Sequence, residues 1–136
     1  MQPTHPTILV VEDNEQLGDL YCKVLSHIGL QTLLTTTVHE TLDCLESTTP
    51  DIVLLDMNMS DGTGRSVVDY LKAHTQFEDT QIVIASGASQ YRYYADEQGI
   101  DHFFQKPISI PMLVGFMRRL LGKKLPNTVP VGTSPF

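Results

Sequence analysis

Asp51-Ile-Val-Leu-Leu-Asp56-Met-Asn-Met-Ser-Asp-Gly-Thr-Gly64 is an apolar run that ends on an acid and then passes into a glycine-rich turn. The apolar run at 52–55 is too short for a helix and shows no polar alternation, which is typical of a strand buried on both faces of a parallel sheet. Asp56 would be the last residue of that strand. In open α/β sheets, ligands and chemistry gather beyond the carboxyl ends of the strands. The stretch therefore predicts a strand whose terminal acid faces a functional cleft.

The composition indicates a single acidic domain. The chain has 136 residues, and its 9 Lys and Arg against 16 Asp and Glu give a net charge of −7. This length buries a sufficient core without disulfides, and the negative charge argues against direct binding to nucleic acid or to an anionic membrane. Cys22 and Cys44 lack metal-binding spacing, and we find no signal peptide and no apolar run long enough to span a membrane. We therefore expect a cytoplasmic protein.

Four further apolar runs resemble the first one, and an amphipathic helical pattern follows each strand. These runs are residues 7–11, 30–35, 81–86 and 101–105. Five strands that alternate with five helices predict a doubly wound α/β fold, a parallel sheet with helices on both faces. We expect the flavodoxin-like strand order 2-1-3-4-5. The domain should span residues 7–121, between a short polar lead at 1–6 and a Pro- and Gly-rich tail or linker at 122–136.

Acidic, hydroxyl and basic residues follow the predicted strands. In this order strands one and three are neighbours where the winding reverses, so Glu12 and Asp13 should meet Asp56. Ser86 ends strand four and Lys106 follows strand five, on the side of Asp56. Converging carboxylates raise one another's pKa unless a cation neutralises them, and oxygen ligands select a hard cation such as Mg²⁺. The sequence therefore predicts a magnesium site at this edge of the sheet.

A metal-bound carboxylate beside a lysine and a hydroxyl is suited to accept a phosphoryl group, because phosphoryl transfer needs positioning and charge neutralisation more than covalent help. We predict that Asp56 is the nucleophile and forms an aspartyl phosphate. Mg²⁺ and Lys106 would hold phosphoryl oxygens, and the Ser86 hydroxyl would donate a hydrogen bond to another of them. These residues form one predicted site at four strand ends.

Five spaced segments in this order resemble the response-regulator receiver domains of two-component signalling. They are Ile8-Leu-Val-Val-Glu-Asp-Asn14, Asp51-Ile-Val-Leu-Leu-Asp56, Asp61-Gly-Thr-Gly64, Ile82-Val-Ile-Ala-Ser86 and Gly99-Ile-Asp-His-Phe-Phe-Gln-Lys-Pro107. The resemblance covers residues 7–121 and implies that a histidine kinase or histidine phosphotransfer protein donates phosphate to Asp56. It implies a switch that catalyses only its own phosphorylation and dephosphorylation, not an enzyme with an external substrate.

The resemblance also implies roles for residues around the site. The Asn58 backbone carbonyl would complete the metal ligands, and Gly87 would contact the phosphoryl group. On activation Ser86 would move toward that group and Phe103 would turn inward. These movements would alter the surface formed by helix four, strand five and helix five, which would dock an output domain, another protein or a second copy of the chain.

Two tyrosines of helix four, Tyr91 and Tyr94, are candidates for this partner surface. The alternative is that the tyrosines lie flat over the core and keep their hydroxyls in water. Both interpretations stay open at the level of the sequence, because the crowded aromatic residues of this helix cannot all face inward.

Three residues depart from the family pattern. Ser60 stands four residues after Asp56, where proline is usual, while Gly87 replaces alanine and Phe103 replaces tyrosine. The acidic loop around Ser60 has the composition of a mobile segment. We therefore expect a loosened loop around the Asn58 carbonyl.

Two other functions are disfavoured by particular residues. A phosphohydrolase with an Asp nucleophile would need a second acid two residues after Asp56, where the chain has Asn58. A flavodoxin-like electron carrier would need a phosphate-cradling loop after strand one, where Glu12 and Asp13 would repel the flavin phosphate.

Overall fold

Five parallel strands form the central sheet of the structure, a computed structural model that describes residues 5–124. The strands are β1 (Thr7–Val11), β2 (Gln31–Thr35), β3 (Ile52–Asp56), β4 (Gln81–Ser86) and β5 (His102–Gln105). They are arranged in the order β2-β1-β3-β4-β5, and every adjacent pair is parallel. The predicted α/β class and strand order are confirmed.

A helix follows each strand of the sheet. The helices are α1 (Glu15–His27), α2 (Val38–Ser47), α3 (Arg65–Ala73), α4 (Gln90–Glu97) and α5 (Ile110–Lys124). The Asn14 side chain caps α1 by accepting a hydrogen bond from the Leu17 N–H at 3.0 Å. Thr37 caps α2 in the same way, with the Glu40 N–H at 3.0 Å. Such caps satisfy backbone donors that have no partner inside the helix.

Apolar layers cover both faces of the sheet, and β3 contributes to each. Val53 and Leu55 pack with buried residues of α2, α3 and α4 on one face. Ile52 and Leu54 pack with buried residues of α1 and α5 on the other face. All five residues of β3 are buried. This two-sided burial explains why the strand is continuously apolar until Asp56.

The observed boundaries differ from the expected ones in two places. Helix α5 continues to Lys124, so residues 122–124 belong to the helix and not to the predicted tail. The rest of that tail, 125–136, and residues 1–4 of the predicted lead lie outside the described residues. In the described range, no helix is both long and apolar enough to cross a membrane.

The segment after β3 contains secondary structure that its composition did not indicate. Asn58–Met59 pairs with Gly62–Thr63 in an antiparallel hairpin. A short 3₁₀ helix, Thr75–Phe77, also follows α3. Neither element was expected from the sequence. The loosened loop expected from Ser60 stays a prediction, because a single structure does not measure mobility.

Candidate functional site

The carboxyl ends of β1 and β3 bring three acids together. The register pairs Val11 with Leu55, so Glu12 follows β1 beside Asp56 at the end of β3. One carboxylate oxygen from each of Glu12, Asp13 and Asp56 lies within 4.8 Å of the others. Glu12 and Asp56 are buried, whereas Asp13 is exposed. The predicted convergence of the three acids is confirmed.

Lys106 reaches this acidic cluster from the end of β5. Its Nζ lies 2.8 Å from Glu12 Oε1 and 3.5 Å from Asp56 Oδ2. The Lys106 N–H donates a hydrogen bond to the Ser86 carbonyl at 3.0 Å, which fixes the start of the lysine to the end of β4. The ammonium group therefore bridges the carboxylates of two different strand ends.

Burial makes the negative charge of Asp56 costly. The pKa of the Asp56 carboxyl is raised to about 6: burial raises it most, the Asn58 N–H and the Lys106 ammonium lower it, and the charges of Glu12 and Asp13 raise it. Burial alone would lower the pKa of Lys106, but its hydrogen bond with Glu12 and the charges of Asp56, Glu12 and Tyr21 together leave the pKa raised. One ammonium thus neutralises only part of a cluster of three acids, which favours a further cation.

The other side of the cleft carries a hydroxyl and little bulk. Ser86 is fully buried at the end of β4, and its Oγ accepts a hydrogen bond from the Ala88 N–H at 3.0 Å. Gly87 is exposed, and a Cβ added there would meet nothing within 4 Å. The Gln105 side chain donates a hydrogen bond to the Gly87 carbonyl at 3.1 Å. This loop therefore has open space beside its backbone.

The backbone after Asp56 turns back over the acid. The Asn58 N–H donates a hydrogen bond to Asp56 Oδ1 at 3.1 Å, while the Asn58 side chain is exposed. Asn58 also pairs with Thr63 across the small hairpin. The residue expected to offer its carbonyl to a metal is thus held next to the phosphoacceptor candidate by two sets of backbone contacts.

Phe103 lies in β5 and is half-buried at the edge of the core. The Arg92 guanidinium of α4 stacks over its ring at 4.6 Å from the centroid. A cation over an aromatic face is attracted by the electrons of the ring. The candidate switch aromatic is therefore covered by a residue of α4.

Of the two interpretations of Tyr91 and Tyr94, the structure favours tyrosines that lie over the core. Both are buried, with 4% and 6% of their surface exposed, and their rings pack edge to face with centroids 6.1 Å apart. The Arg65 guanidinium of α3 lies 4.5 Å from the Tyr94 ring centroid. Tyr93 is the exposed tyrosine of this helix, at 73%. The structure differs from that interpretation in one respect: the tyrosine hydroxyls were expected in water, but the Tyr94 hydroxyl is buried.

Two contributors to the site were missed at the level of the sequence. Tyr21 of α1 is buried; burial raises its pKa, and the charges of Lys106, Glu12 and Asp56 act on its hydroxyl. Asp61 accepts hydrogen bonds from the start of α2. The apolar spacing of α1 is consistent with a buried Tyr21 but gives no direction toward the acids, and no local pattern links Asp61 to α2.

The sequence model of the family described as "Response regulator receiver domain" matches residues 8–118 of this chain. The chain belongs to the response-regulator receiver domain family. This assignment supersedes the two disfavoured functions, the phosphohydrolase and the flavin electron carrier.

Sequence similarity to two regulatory proteins supports the assignment. The phosphate regulon transcriptional regulatory protein PhoB of Escherichia coli is 29% identical over 124 residues, which cover 90% of this chain and 54% of that protein. The polar-differentiation response regulator DivK of Brucella ovis is 25% identical over 121 residues, 85% of this chain and 96% of that protein. The receiver-domain chain thus spans about half the length of PhoB and nearly all of DivK.

Solved structures share the fold at low sequence identity. A CheY-like receiver domain protein of Methanospirillum hungatei superposes with a TM-score of 0.79 at 20% identity, covering 92% of this chain and all of that one. The non-phosphorylated HemR receiver domain of Leptospira biflexa gives a TM-score of 0.77 at 24% identity, with 92% and 98% coverage. At these identities the likeness shows the fold alone.

Proposed function

We propose that this receiver domain takes a phosphoryl group onto Asp56 from a histidine kinase or a histidine phosphotransfer protein. The observation that carries the proposal is the setting of the Asp56 carboxylate. It is buried at the end of the central strand, 3.5 Å from the Lys106 ammonium and hydrogen-bonded to the Asn58 N–H. A carboxylate that is desolvated and partly neutralised is suited to attack phosphorus.

The residues around Asp56 fit a magnesium ion. Glu12, Asp13 and Asp56 offer carboxylate oxygens within 4.8 Å of one another, and oxygen donors are the ligands of hard cations. Asn58 would add its backbone carbonyl from the hairpin. When bound there, Mg²⁺ would supply positive charge to the phosphoryl oxygens and to the crowded carboxylates.

The chain's own residues divide the work of transfer. One Asp56 carboxylate oxygen forms a bond to phosphorus while the bond from phosphorus to the donor's histidine nitrogen breaks. Lys106 binds a phosphoryl oxygen and balances its charge, and the Ser86 hydroxyl and the Gly87 backbone bind others. Hydrolysis of the aspartyl phosphate at the same site returns the domain to its starting state. We therefore propose self-catalysed phosphorylation and dephosphorylation in the cytoplasm, without an external substrate and without direct binding to nucleic acid or membrane.

The proposed output is a change in the surface formed by α4, β5 and α5. A groove of about 280 Å³ lies there and is lined by residues that include Arg92, Phe103 and Met112. Met112 is 62% exposed. Movement of Ser86 toward the phosphoryl group would draw Phe103 inward and away from Arg92, which would reshape the groove for an output domain, another protein or a second copy of the chain.

Acetyl phosphate with Mg²⁺ tests the phosphoacceptor directly. We expect one acid-stable, hydroxylamine-labile phosphate per chain, measured as a mass increase of the intact protein. Asp56→Asn should abolish it, because the amide is not a nucleophile for phosphorus. Asp101→Asn, which changes an exposed acid before β5, serves as the control and should label like the wild type. Equal labelling of Asp56→Asn and the wild type would exclude Asp56 as the acceptor.

A further inference from the structure

Asp61, in the turn after the phosphoacceptor strand, binds the start of α2 with both carboxylate oxygens. Oδ1 accepts the Val38 N–H at 2.7 Å, and Oδ2 accepts the His39 N–H at 3.1 Å. Val38 and His39 are the first two residues of α2. The contact joins two segments that are more than twenty residues apart in sequence, and it leaves the Asp61 carboxylate at the surface of the molecule.

These two hydrogen bonds extend the capping of α2 beyond its own Thr37. The first N–H groups of a helix have no acceptor inside it, and the positive end of the helix dipole attracts an anion. Thr37 Oγ1 takes the Glu40 N–H, the third donor of the helix, and Asp61 takes the first two. The hydrogen bonds from Val38 and His39 hold the pKa of the Asp61 carboxyl below its ordinary value. Asp61 therefore binds the start of α2 as an anion, although it lies far from this helix in sequence.

Asp61 also forms the tip of the hairpin that contains Asn58. Asn58 pairs with Thr63 and Met59 with Gly62, so Ser60 and Asp61 form the two-residue turn between the paired strands. A two-stranded hairpin on its own is only marginally stable in water. At its base, the Gly64 N–H donates a hydrogen bond to the Met57 carbonyl at 2.9 Å. The hairpin is thus fixed at its base by its own backbone and at its tip by α2.

We propose that Asp61 is a positioning residue, which holds the hairpin on α2 and so sets where the Asn58 backbone carbonyl lies beside Asp56. This inference rests on the proposed metal-dependent function, and it gives Asp61 no contact with the metal or with the phosphoryl group. It also accounts for Ser60, where the family usually has proline. A proline ring stiffens the turn covalently, whereas here the attachment of the next residue to α2 restrains it.

The test compares Asp61→Ala with Thr37→Ala, which removes the other side-chain cap from the same helix end without touching the hairpin. Isothermal titration calorimetry measures Mg²⁺ affinity of the unphosphorylated chain. Loss of a residue that orients a metal ligand typically weakens binding about tenfold or more, and we expect about tenfold for Asp61→Ala. Thr37→Ala should stay within about twofold of the wild type, and Asp61→Asn, which keeps an acceptor without the charge, should fall between.

Hydrogen exchange supplies a readout that does not depend on the metal. Asp61→Ala should speed amide exchange at Asn58 and Thr63 across the hairpin, whereas Thr37→Ala should speed it only in the first turn of α2. Wild-type Mg²⁺ affinity in a folded Asp61→Ala would overturn the inference, as would an equal loss of affinity in Thr37→Ala. If Asp61→Ala does not fold, Asp61→Asn decides by the same two measurements. If the wild type itself binds no Mg²⁺, the proposed function fails, and unchanged hairpin exchange in Asp61→Ala would separately refute the anchoring.

Discussion

The two loops that border the cleft are held in different ways. The hairpin loop, residues 57–64, is fastened to α2 through Asp61 and closed at its base by the hydrogen bond from Gly64 to Met57. The β4–α4 loop, residues 87–89, receives a hydrogen bond from the Gln105 side chain and donates one from the Ala88 N–H to Ser86 Oγ, and α4 begins without a side-chain cap. The loop after Asp56 is therefore tied by a side chain to the start of another helix, whereas the side chains that hold the loop after Ser86 come from the ends of β4 and β5.

Packing around the two loops shows the same contrast. A Cβ added to Gly64 would lie 2.7 Å from Met57 Sδ, 3.1 Å from Leu55 Cγ and 3.2 Å from the Asp56 carbonyl oxygen, whereas one added to Gly87 would meet nothing within 4 Å. The proposed metal and nucleophile need fixed geometry, and the proposed movement of Ser86 needs room. The fold supplies these two properties on opposite sides of the cleft, so a change in one loop need not disturb the other.

Gly64→Ala should have the largest effect on stability, because the new methyl group would overlap Met57 Sδ and would press closely against Leu55 and the Asp56 carbonyl. Overpacking of this kind costs about 1–3 kcal/mol, and we expect a value in the upper half of that range, since the Asp56 carbonyl cannot yield as a flexible side chain can. Urea denaturation measures the free energy of unfolding. A change smaller than about 0.5 kcal/mol would show that the hairpin loop is as accommodating as the β4–α4 loop, and the comparison would fail.

Asp56→Asn should stabilise the metal-free protein at high pH. A carboxyl whose pKa rises from 3.8 to about 6 on folding stabilises the fold when protonated; that contribution is present below about pH 4 and is lost as the pH rises through about 6. The amide resembles the protonated acid, so the variant avoids this loss. We expect a gain of about 1–2 kcal/mol at pH 8, after allowance for solvent at the mouth of the cleft, and almost none at pH 4.

Ser86→Ala is the matched control for this pH dependence. It changes a buried group on the other side of the cleft, where the side chain carries no charge, so its effect on stability should be the same at pH 4 and pH 8. Denaturation in the presence of a chelator gives both values. If the gain in stability of Asp56→Asn does not vary with pH, the gain does not come from removal of the Asp56 charge.

The sheet order and the main site residues could be predicted because they depend on strand ends alone. Once the strands are parallel and ordered 2-1-3-4-5, Glu12, Asp13 and Asp56 must emerge at neighbouring positions, and the structure confirms that they do. Lys106 follows from the same logic, since its Nζ reaches Glu12 and Asp56 from the end of β5. Topology converts short sequence motifs into a three-dimensional cluster without any knowledge of side-chain packing.

Features that depend on the angle or end of a helix were not predictable in this way. Tyr91, Tyr93 and Tyr94 lie within a single helical turn, and the rotation of α4 decides that Tyr93 is the exposed one. The contact of Asp61 with α2 requires the tip of one loop to meet the end of a distant helix, for which no local pattern exists. The predicted tail begins at Gly122, yet α5 continues through this residue, because an isolated glycine lowers helix stability by only about 1 kcal/mol.

Gly87→Ala should have the smallest effect on stability, and it tests whether the β4–α4 loop has open space beside its backbone. The added methyl group meets no atom within 4 Å, and the Gly87 backbone does not adopt the left-handed conformation that disfavours alanine. Alanine also restricts the unfolded chain, which can stabilise a compatible site by about 0.4–1 kcal/mol. We therefore expect the free energy of unfolding to stay within about 0.5 kcal/mol of the wild type or to rise slightly. A loss comparable to that of Gly64→Ala would mean that the β4–α4 loop is as closely packed as the hairpin loop.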